Sequence, residues 1–256
     1  MVTAPNPASA RTGGTASGDP TTGAPRRPDP ITGAAMREIE LILPSGWADI
    51  DLRASLPPQL HRLAKRIVDG APGSSDAPEA RTARNLVEAQ LRKSLSALAD
   101  AGALRVLMEA DPMAGVRTGT FIAVLPFPRE FAEDPMDALV AIAAQTPQTV
   151  VMDAGELVVM RTVTVSDATD DVREDLGAAG EQLAAALPDP PALPDLPEGA
   201  AVKRTQAAYY VGDPDLPDDW MVFFTIITAQ DDEDSQALVD SLLALSDAIV
   251  QSVRFS

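Results

Sequence analysis

The single histidine of the chain, His61, is the side chain best suited by type to proton transfer, because imidazole titrates near neutral pH. A histidine base also needs a hydroxyl nucleophile and a carboxylate that orients the ring. The nearest candidates in the sequence are Ser45, Asp49, Asp51 and Ser55. His61 stands beside Arg62, Lys65 and Arg66 on the polar side of a predicted helix. We therefore interpret it as an exposed surface residue, with catalysis as the alternative.

Two clusters of carboxylates could bind a cation or a basic partner. One occupies a predicted turn and comprises Asp213, Asp215, Asp218 and Asp219; the other precedes the last helix and comprises Asp231, Asp232, Glu233 and Asp234. Aspartate and proline favour turns without any metal, and negative charge stabilises a helix N-terminus. We interpret both clusters as structural. A weak Ca²⁺ site in the first and a docking patch in the second are the alternatives.

The residues that are missing exclude several chemistries. The chain has no cysteine, which excludes disulfides, thiolate metal ligands and cysteine nucleophiles, and one histidine cannot form a site with two imidazoles. The sequence contains neither a phosphate-binding glycine loop nor a G-x-S-x-G elbow. We assign no catalytic, cofactor-binding or metal-ligating residue and expect no cofactor. Enzymatic activity is left open, and a non-enzymatic role is favoured.

Charge is distributed unevenly along the chain. There are 20 Lys and Arg against 38 Asp and Glu, a formal net charge of -18. Residues 153–256 alone hold 5 basic and 21 acidic residues. Such a chain repels phosphate backbones and anionic lipid surfaces. We therefore expect a protein partner of basic character, with no nucleic acid and no membrane insertion.

The sequence also bears on location. No stretch approaches the roughly 20 apolar residues of a membrane-spanning helix, and the N-terminus lacks the charged and apolar regions of a secretory signal. We expect a cytoplasmic protein, with export by a signal-less route as the alternative.

A low-complexity segment precedes the patterned part of the chain. Ala, Gly, Pro, Ser and Thr make up 26 of residues 1–35. Such a composition buries too little apolar surface to offset the entropy of ordering, so we predict a disordered tail. The alternative is that translation begins at Met36.

Hydrophobic periodicity predicts the elements that follow. A strand over 37–43 precedes Trp47, which we place in a loop that caps the core. We predict five helices. Three span residues 58–69, 135–145 and 171–186. Another begins at a capping box formed by Asp76 and Glu79 and ends at Gly102, and the last begins at a cap at Asp234 and ends at Ile249. Further strands are predicted over 103–109, 118–126, 148–152, 157–166, 201–211, 219–229 and 252–255.

The strands come mostly in hairpins with helices between them. This order predicts an α+β fold, a mostly antiparallel sheet covered by helices as an α/β/α sandwich. Because strands 118–126 and 219–229 are apolar on both faces, both should be central. We predict a single domain over 36–256 that contains a proline-rich connector at 187–199.

The second hairpin holds the densest group of aromatic and methionine side chains in the sequence: Tyr209, Tyr210, Trp220, Met221, Phe223 and Phe224. We interpret most of them as core. Because side chains alternate between the two faces of a strand, the alternative is that one face lines a groove or an interface.

The two ends of the patterned region resemble the PsbP-like and LpqN-like α/β/α sandwiches. The similarity lies in the hairpin 201–229, the helix 235–249 and the strand Ser252-Val253-Arg254-Phe255, and Pro44-Ser45-Gly46-Trp47 is similar to a P-x-x-W loop that begins many of these domains. The chain departs from the family by lacking a lipid-anchoring cysteine and by two helices inserted after the first strand. The resemblance implies an interaction or assembly module, with no catalytic residue to carry over. The Ala-, Asp- and Pro-rich composition is similar to that of high-GC actinobacterial proteins.

Three hypotheses for function follow. The first is a non-enzymatic interaction or accessory module, with a secretion or envelope system as one setting, whose acidic half attracts a basic partner. The second is an enzyme or small-ligand-binding protein with a pocket between sheet and helices. The third is a Ca²⁺-dependent module.

Overall fold

The computed structural model describes residues 38–69, 78–113, 115, 117–128, 134–146, 148–186, 193, 195–197 and 199–255. Its strands are β1 (Ile39–Glu40), β2 (Trp47–Asp51), β3 (Arg105–Glu109), β4 (Phe121–Pro126), β5 (Thr149–Ala154), β6 (Leu157–Asp167), β7 (Val202–Gly212), β8 (Met221–Gln230) and β9 (Arg254–Phe255). Its helices are α1 (Leu56–Asp69), α2 (Pro78–Asp100), α3 (Pro135–Gln145), α4 (Thr169–Ala186) and α5 (Glu233–Gln251).

Seven of the strands form one sheet in the order β2-β3-β4-β8-β7-β6-β5. Every neighbouring pair in this sheet is antiparallel. The C-terminal hairpin of β7 and β8 occupies the middle, where it joins β4 to β6. A central strand is covered on both faces, which explains why β4 and the first half of β8 are almost entirely apolar. The predicted α+β fold with a mostly antiparallel sheet is confirmed.

Helices pack on both faces of the sheet. On one face, α5 contacts β7 and β8, and Tyr209 of β7 bonds to Asp247 of α5. On the other face, α1 and α2 cover β2 and β3 through a cluster that includes Ile50, Leu63 and Val106. The same face carries α3, which packs against β6 and the residue preceding β8. The core is therefore divided between two layers of helix.

The first predicted strand is mostly wrong. Only Ile39 and Glu40 form a strand, and they pair with β9 in a separate two-stranded sheet. Trp47 does not lie in a loop: it begins β2 and is buried. The segment Trp47–Asp51 is only five residues long, and its alternation of large or acidic with small or apolar side chains is too short to indicate a strand. Its pairing with β3 makes it one.

Two predicted helix features also need correction. The side chain of Asp232, not Asp234, caps α5 by accepting a hydrogen bond from the Ser235 amide at 2.7 Å. The spacing of Leu238 with Leu242, Leu245 and Ile249 predicts one apolar stripe, but Leu238 is 42% exposed. The spacing of Leu139, Ile142 and Ala143 predicts that all three face inward from α3, but Ala143 is exposed. Asp76 of the predicted capping box and the tail 1–35 lie outside the residues whose placement is described.

Other local predictions are confirmed. Gly102 has a φ of 90° directly after α2, the left-handed conformation that ends many helices. The four-residue spacing of Glu88 and Arg92 predicts an ion pair on one face of α2, and the two side chains do pair, at 2.9 Å. The two hairpins on either side of the proline-rich connector belong to the same sheet.

Candidate functional site

The starts of α4 and α5 lie at the same end of the sheet, although they are far apart in sequence. The amide of Ala168, just before α4, donates to the carbonyl of Val202 at 2.9 Å. The amide of Asp231, just before α5, donates to the carbonyl of Ala201 at 2.9 Å. Two consecutive residues at the start of β7 therefore anchor the residues that precede both helices at one end of the sheet.

Exposed carboxylates accompany both helix starts at this end of the sheet, and together they are here called the acidic end surface. Its members are Asp167, Asp170, Asp171, Glu174, Asp175, Asp231, Asp232, Glu233 and Asp234. Three basic residues lie among them: Arg173 pairs with Asp170 at 3.3 Å, Lys203 with Asp231 at 3.3 Å and Arg204 with Asp171 at 2.9 Å. Acidic residues thus remain in large excess.

Local structure explains why negative charge is tolerated there. Each helix N-terminus presents unpaired amides and a partial positive charge that stabilise anions. Hydrogen bonds from the backbone and side chain of Thr169 hold the pKa of Asp167 below its usual value. The sequence pointed to residues 231–234 as a possible docking patch but gave no sign that residues 167–175 would join them.

Among the described residues, His61 lies beside a carboxylate of α2 and not beside the hydroxyls and carboxylates near it in sequence. Its Nδ1 lies 3.5 Å from a carboxylate oxygen of Glu88 on α2, and its side chain is 74% exposed. The nearby carboxylates in sequence are engaged elsewhere, since Asp49 pairs with Arg105 and Asp51 with Arg53. The exposed position of His61 is what the sequence led us to expect, and its contact with α2 was not predicted.

The aspartates of the turn between β7 and β8 serve local structure. The Oδ1 atom of Asp213 accepts the amide of Asp215 at 2.9 Å, and its carbonyl accepts the Trp220 indole Nε1 at 3.0 Å. Asp219 is buried. In the part of the chain that the structure describes, no three carboxylate or histidine side chains come close enough to hold a metal ion.

The aromatic hairpin is largely core. Tyr209 and Phe223 are fully buried on the α5 side of the sheet. Trp220 is buried on the α3 side, where its ring meets Phe127 edge-on at a centroid distance of 6.3 Å. Phe224 is only partly buried.

A polar cluster that sequence reasoning missed lies between the sheet and α5. Asp247 of α5 accepts hydrogen bonds from the Tyr209 hydroxyl, at 2.8 Å, and from the Arg161 guanidinium. Burial, reinforced by the negative charge of Asp247, raises the pKa of Tyr209 well above its ordinary value. Through these two bonds Asp247 joins β6, β7 and α5. Because the three residues stand far apart in sequence, no local pattern could reveal the cluster.

A second missed group is the carboxylate of Glu109, at the end of β3. Its side chain is buried, at 2% exposure for the residue. One oxygen accepts the amides of Thr118 and Gly119 at 2.8 and 2.9 Å and the Thr118 hydroxyl at 2.8 Å. The other oxygen accepts the Met113 amide at 3.3 Å. Glu109 thus fixes the connection between β3 and β4.

Besides a surface cavity of about 410 Å³ along α2, bordered by Asn85 and Ser96, two others lined by described residues open at the surface. One, of about 520 Å³, lies between α4 and the proline-rich connector, with Leu176 and Leu193 in its wall. The other, of about 300 Å³, lies between β2 and α1. Neither is enclosed between the sheet and a helix layer, where the ligand-binding hypothesis placed its pocket.

Comparison with known proteins found no matching family model, curated protein or solved structure. The resemblance to the PsbP-like and LpqN-like sandwiches therefore stays a prediction. Among the described residues, no helix has both the length and the apolar character needed to cross a bilayer. The function must be argued from the surface and its chemistry.

Proposed function

We propose that the chain is a non-enzymatic interaction or assembly module whose acidic end surface binds a basic protein partner. The observation that supports this is the convergence of two helix N-termini and their carboxylates at one end of the sheet. A surface of one sign raises the encounter rate with a partner of the opposite sign and fixes its orientation.

The acidic end surface has carboxylates available for such a partner. Glu174, Asp175, Glu233 and Asp234 are exposed, and none of them forms a salt bridge within the described residues. A lysine- or arginine-rich surface would supply their counterions. Because exposed charges are screened over about 8 Å at physiological salt and about 3 Å at 1 M, the interaction should weaken as salt is added.

The broader assignment belongs to the same proposal. A PsbP-like sandwich serving as an accessory factor in the cytoplasm, with a link to a secretion or envelope system, agrees with the hairpin, helix and terminal strand at the C-terminus. An enzyme or ligand-binding role for a pocket between sheet and helices is the alternative, and nothing in the described cavities favours it.

A charge-neutralising variant tests the proposal. The four substitutions Glu174→Gln, Asp175→Asn, Glu233→Gln and Asp234→Asn remove negative charge from the acidic end surface and spare the cap at Asp232. We expect affinity capture from native lysate with the unaltered full chain to retain basic proteins that are released at high salt. The variant should lose those same proteins, as measured by quantitative mass spectrometry.

A matched control carries the same change of charge elsewhere: Asp100→Asn, Asp137→Asn, Glu156→Gln and Asp215→Asn. It should keep the partners. The proposal would be overturned if both variants retained the captured proteins equally, if both lost them equally, or if the amount captured by the unaltered chain did not change with salt.

A further inference from the structure

The cavity between β2 and α1, here called the edge groove, lies along an outer strand of the sheet. Its walls are Trp47, Ala48, Asp49 and Ile50 of β2 and Gln59, Arg62, Leu63 and Arg66 of α1. Since β2 is the first strand in the sheet order, its second side has no strand neighbour within the sheet. An edge strand with accessible backbone groups can accept a further strand.

The hydrogen bonds of β2 define which of its backbone groups face outward. The amide of Leu52 donates to the Leu104 carbonyl at 2.9 Å, and the amide of Ala110 donates to the Gly46 carbonyl at 2.8 Å. In an antiparallel pair, alternate residues bond to the partner strand. Residues 46, 48, 50 and 52 therefore face β3, and the amides and carbonyls of 47, 49 and 51 face the edge groove.

The protein itself shows how this edge can be paired. The Oε1 atom of Gln59 accepts a hydrogen bond from the Asp51 amide at 3.1 Å, and its Nε2 donates one to the Asp51 carbonyl at 2.9 Å. The backbone of an added strand would make the same two bonds. At the other end of the strand, the Trp47 amide donates to the Pro44 carbonyl at 3.2 Å. Asp49, between these two, is exposed and has no such partner in the described structure.

The charge of the groove selects the occupant. Arg62 is exposed and pairs with no carboxylate among the described residues. Arg66 pairs with Asp111 at 2.6 Å, and the Asp49 side chain is held by Arg105. The wall formed by α1 therefore keeps uncompensated positive charge within a protein that is otherwise strongly acidic. An acidic side chain is complementary to it.

We infer that the edge groove binds an extended acidic segment of another protein as an additional antiparallel or parallel strand. The backbone of that segment pairs with the amide and carbonyl of Asp49, and one of its carboxylates pairs with Arg62. This site differs from the acidic end surface in sign and in position, so the inference does not depend on the proposed function.

Fluorescence anisotropy with the full chain at low salt tests the inference. The probe is a labelled, terminally blocked peptide of alternating glutamate and valine. We expect it to bind, and an alternating lysine and valine peptide not to bind. Arg62→Glu should weaken binding by about tenfold or more, because the cation that meets the carboxylate becomes an anion. Lys93→Glu, an equal charge change on the exposed surface of α2, should leave the affinity within about twofold.

Backbone pairing needs its own readout. Two versions of the acidic peptide carry N-methyl groups on alternate residues, one on each set. Because only one set of amides of an added strand faces its neighbour, one version should lose binding and the other should keep it.

Three outcomes would overturn the inference: no binding of the acidic peptide, equal binding of both N-methylated versions and the parent, or equal weakening by Lys93→Glu and Arg62→Glu. A dimer of the unaltered chain in sedimentation that Arg62→Glu disperses would instead identify a second copy as the occupant. Circular dichroism of each variant confirms that it has folded before binding is compared.

Discussion

At the scale of single residues, the cluster of Arg161, Tyr209 and Asp247 shows how charge is accommodated between sheet and helix. Asp247 is the acceptor for both partners. Removing one member of such a partly buried group leaves the others without compensation, which usually costs more than the interaction itself contributes. We therefore expect the cluster to stabilise the packing of α5 against β6 and β7.

Tyr209 predicts a dependence of stability on alkaline pH. Its pKa in the folded protein is raised above the ordinary value of about 10, first by burial and then by Asp247. Below pH 10 the phenol is protonated in both states, and above it only the unfolded chain ionises. The free energy of unfolding should therefore fall as pH rises beyond 10, by up to about 1.4 kcal/mol per pH unit from this group.

Urea unfolding of Tyr209→Phe between pH 9 and 11 measures this contribution. The variant should lose less stability over that interval than the unaltered chain. The control is Tyr210→Phe, which removes a less deeply buried phenol whose pKa is also raised by burial. The free energy of unfolding of this control should fall more between pH 9 and 11 than that of Tyr209→Phe. Parallel curves for Tyr209→Phe and the unaltered chain would contradict the expectation.

At the scale of elements, local patterns predicted the helices better than the strand edges. The helix over 135–145 is found at those bounds, and Leu60 and Leu63 lie on the buried side of α1 as their spacing indicates. Helix bonds join neighbours in sequence, so the pattern is contained in the segment itself. The strand at Trp47 was missed because its existence depends on β3, more than fifty residues away.

Substitution by alanine should change the stability of the protein in opposite directions at two glycines, Gly102 at the end of α2 and Gly177 inside α4. Gly102→Ala should destabilise the protein by about 1 kcal/mol or more, because a φ of 90° strains any residue with a Cβ atom. Gly177 lies inside α4, where an added Cβ meets nothing within 4 Å. Gly177→Ala should stabilise by up to about 1 kcal/mol, because alanine favours the helix. Thermal unfolding of both variants decides, and a shift of the same sign in both would contradict the assignment.

At the scale of the whole molecule, the two surfaces discussed above carry opposite charge. The acidic end surface forms where α4 and α5 begin, and the edge groove lies along β2 beside α1. The formal net charge of the whole chain, -18, makes the molecule repel itself as well as other anions.

This self-repulsion predicts that moderate salt stabilises the fold. Raising NaCl from about 10 to about 150 mM should increase the midpoint of thermal unfolding, because screening weakens like-charge repulsion, and the described salt bridges, being mostly at the surface, contribute little. The variant with four neutralised carboxylates on the acidic end surface should gain less. A midpoint that falls with salt would mean that the ion pairs outweigh the repulsion.

The sequence by itself determined the class of fold, most helices, the two central strands and the excess of acid in the C-terminal half. These properties follow from composition and from the spacing of apolar residues within short segments. Only the tertiary structure decided which strands are neighbours, that residues 167–175 join residues 231–234, and that Gln59 and Arg62 border an edge of the sheet. Strand pairing brings together residues that are distant in the chain, and many pairings satisfy the same local pattern until packing of the whole molecule selects one.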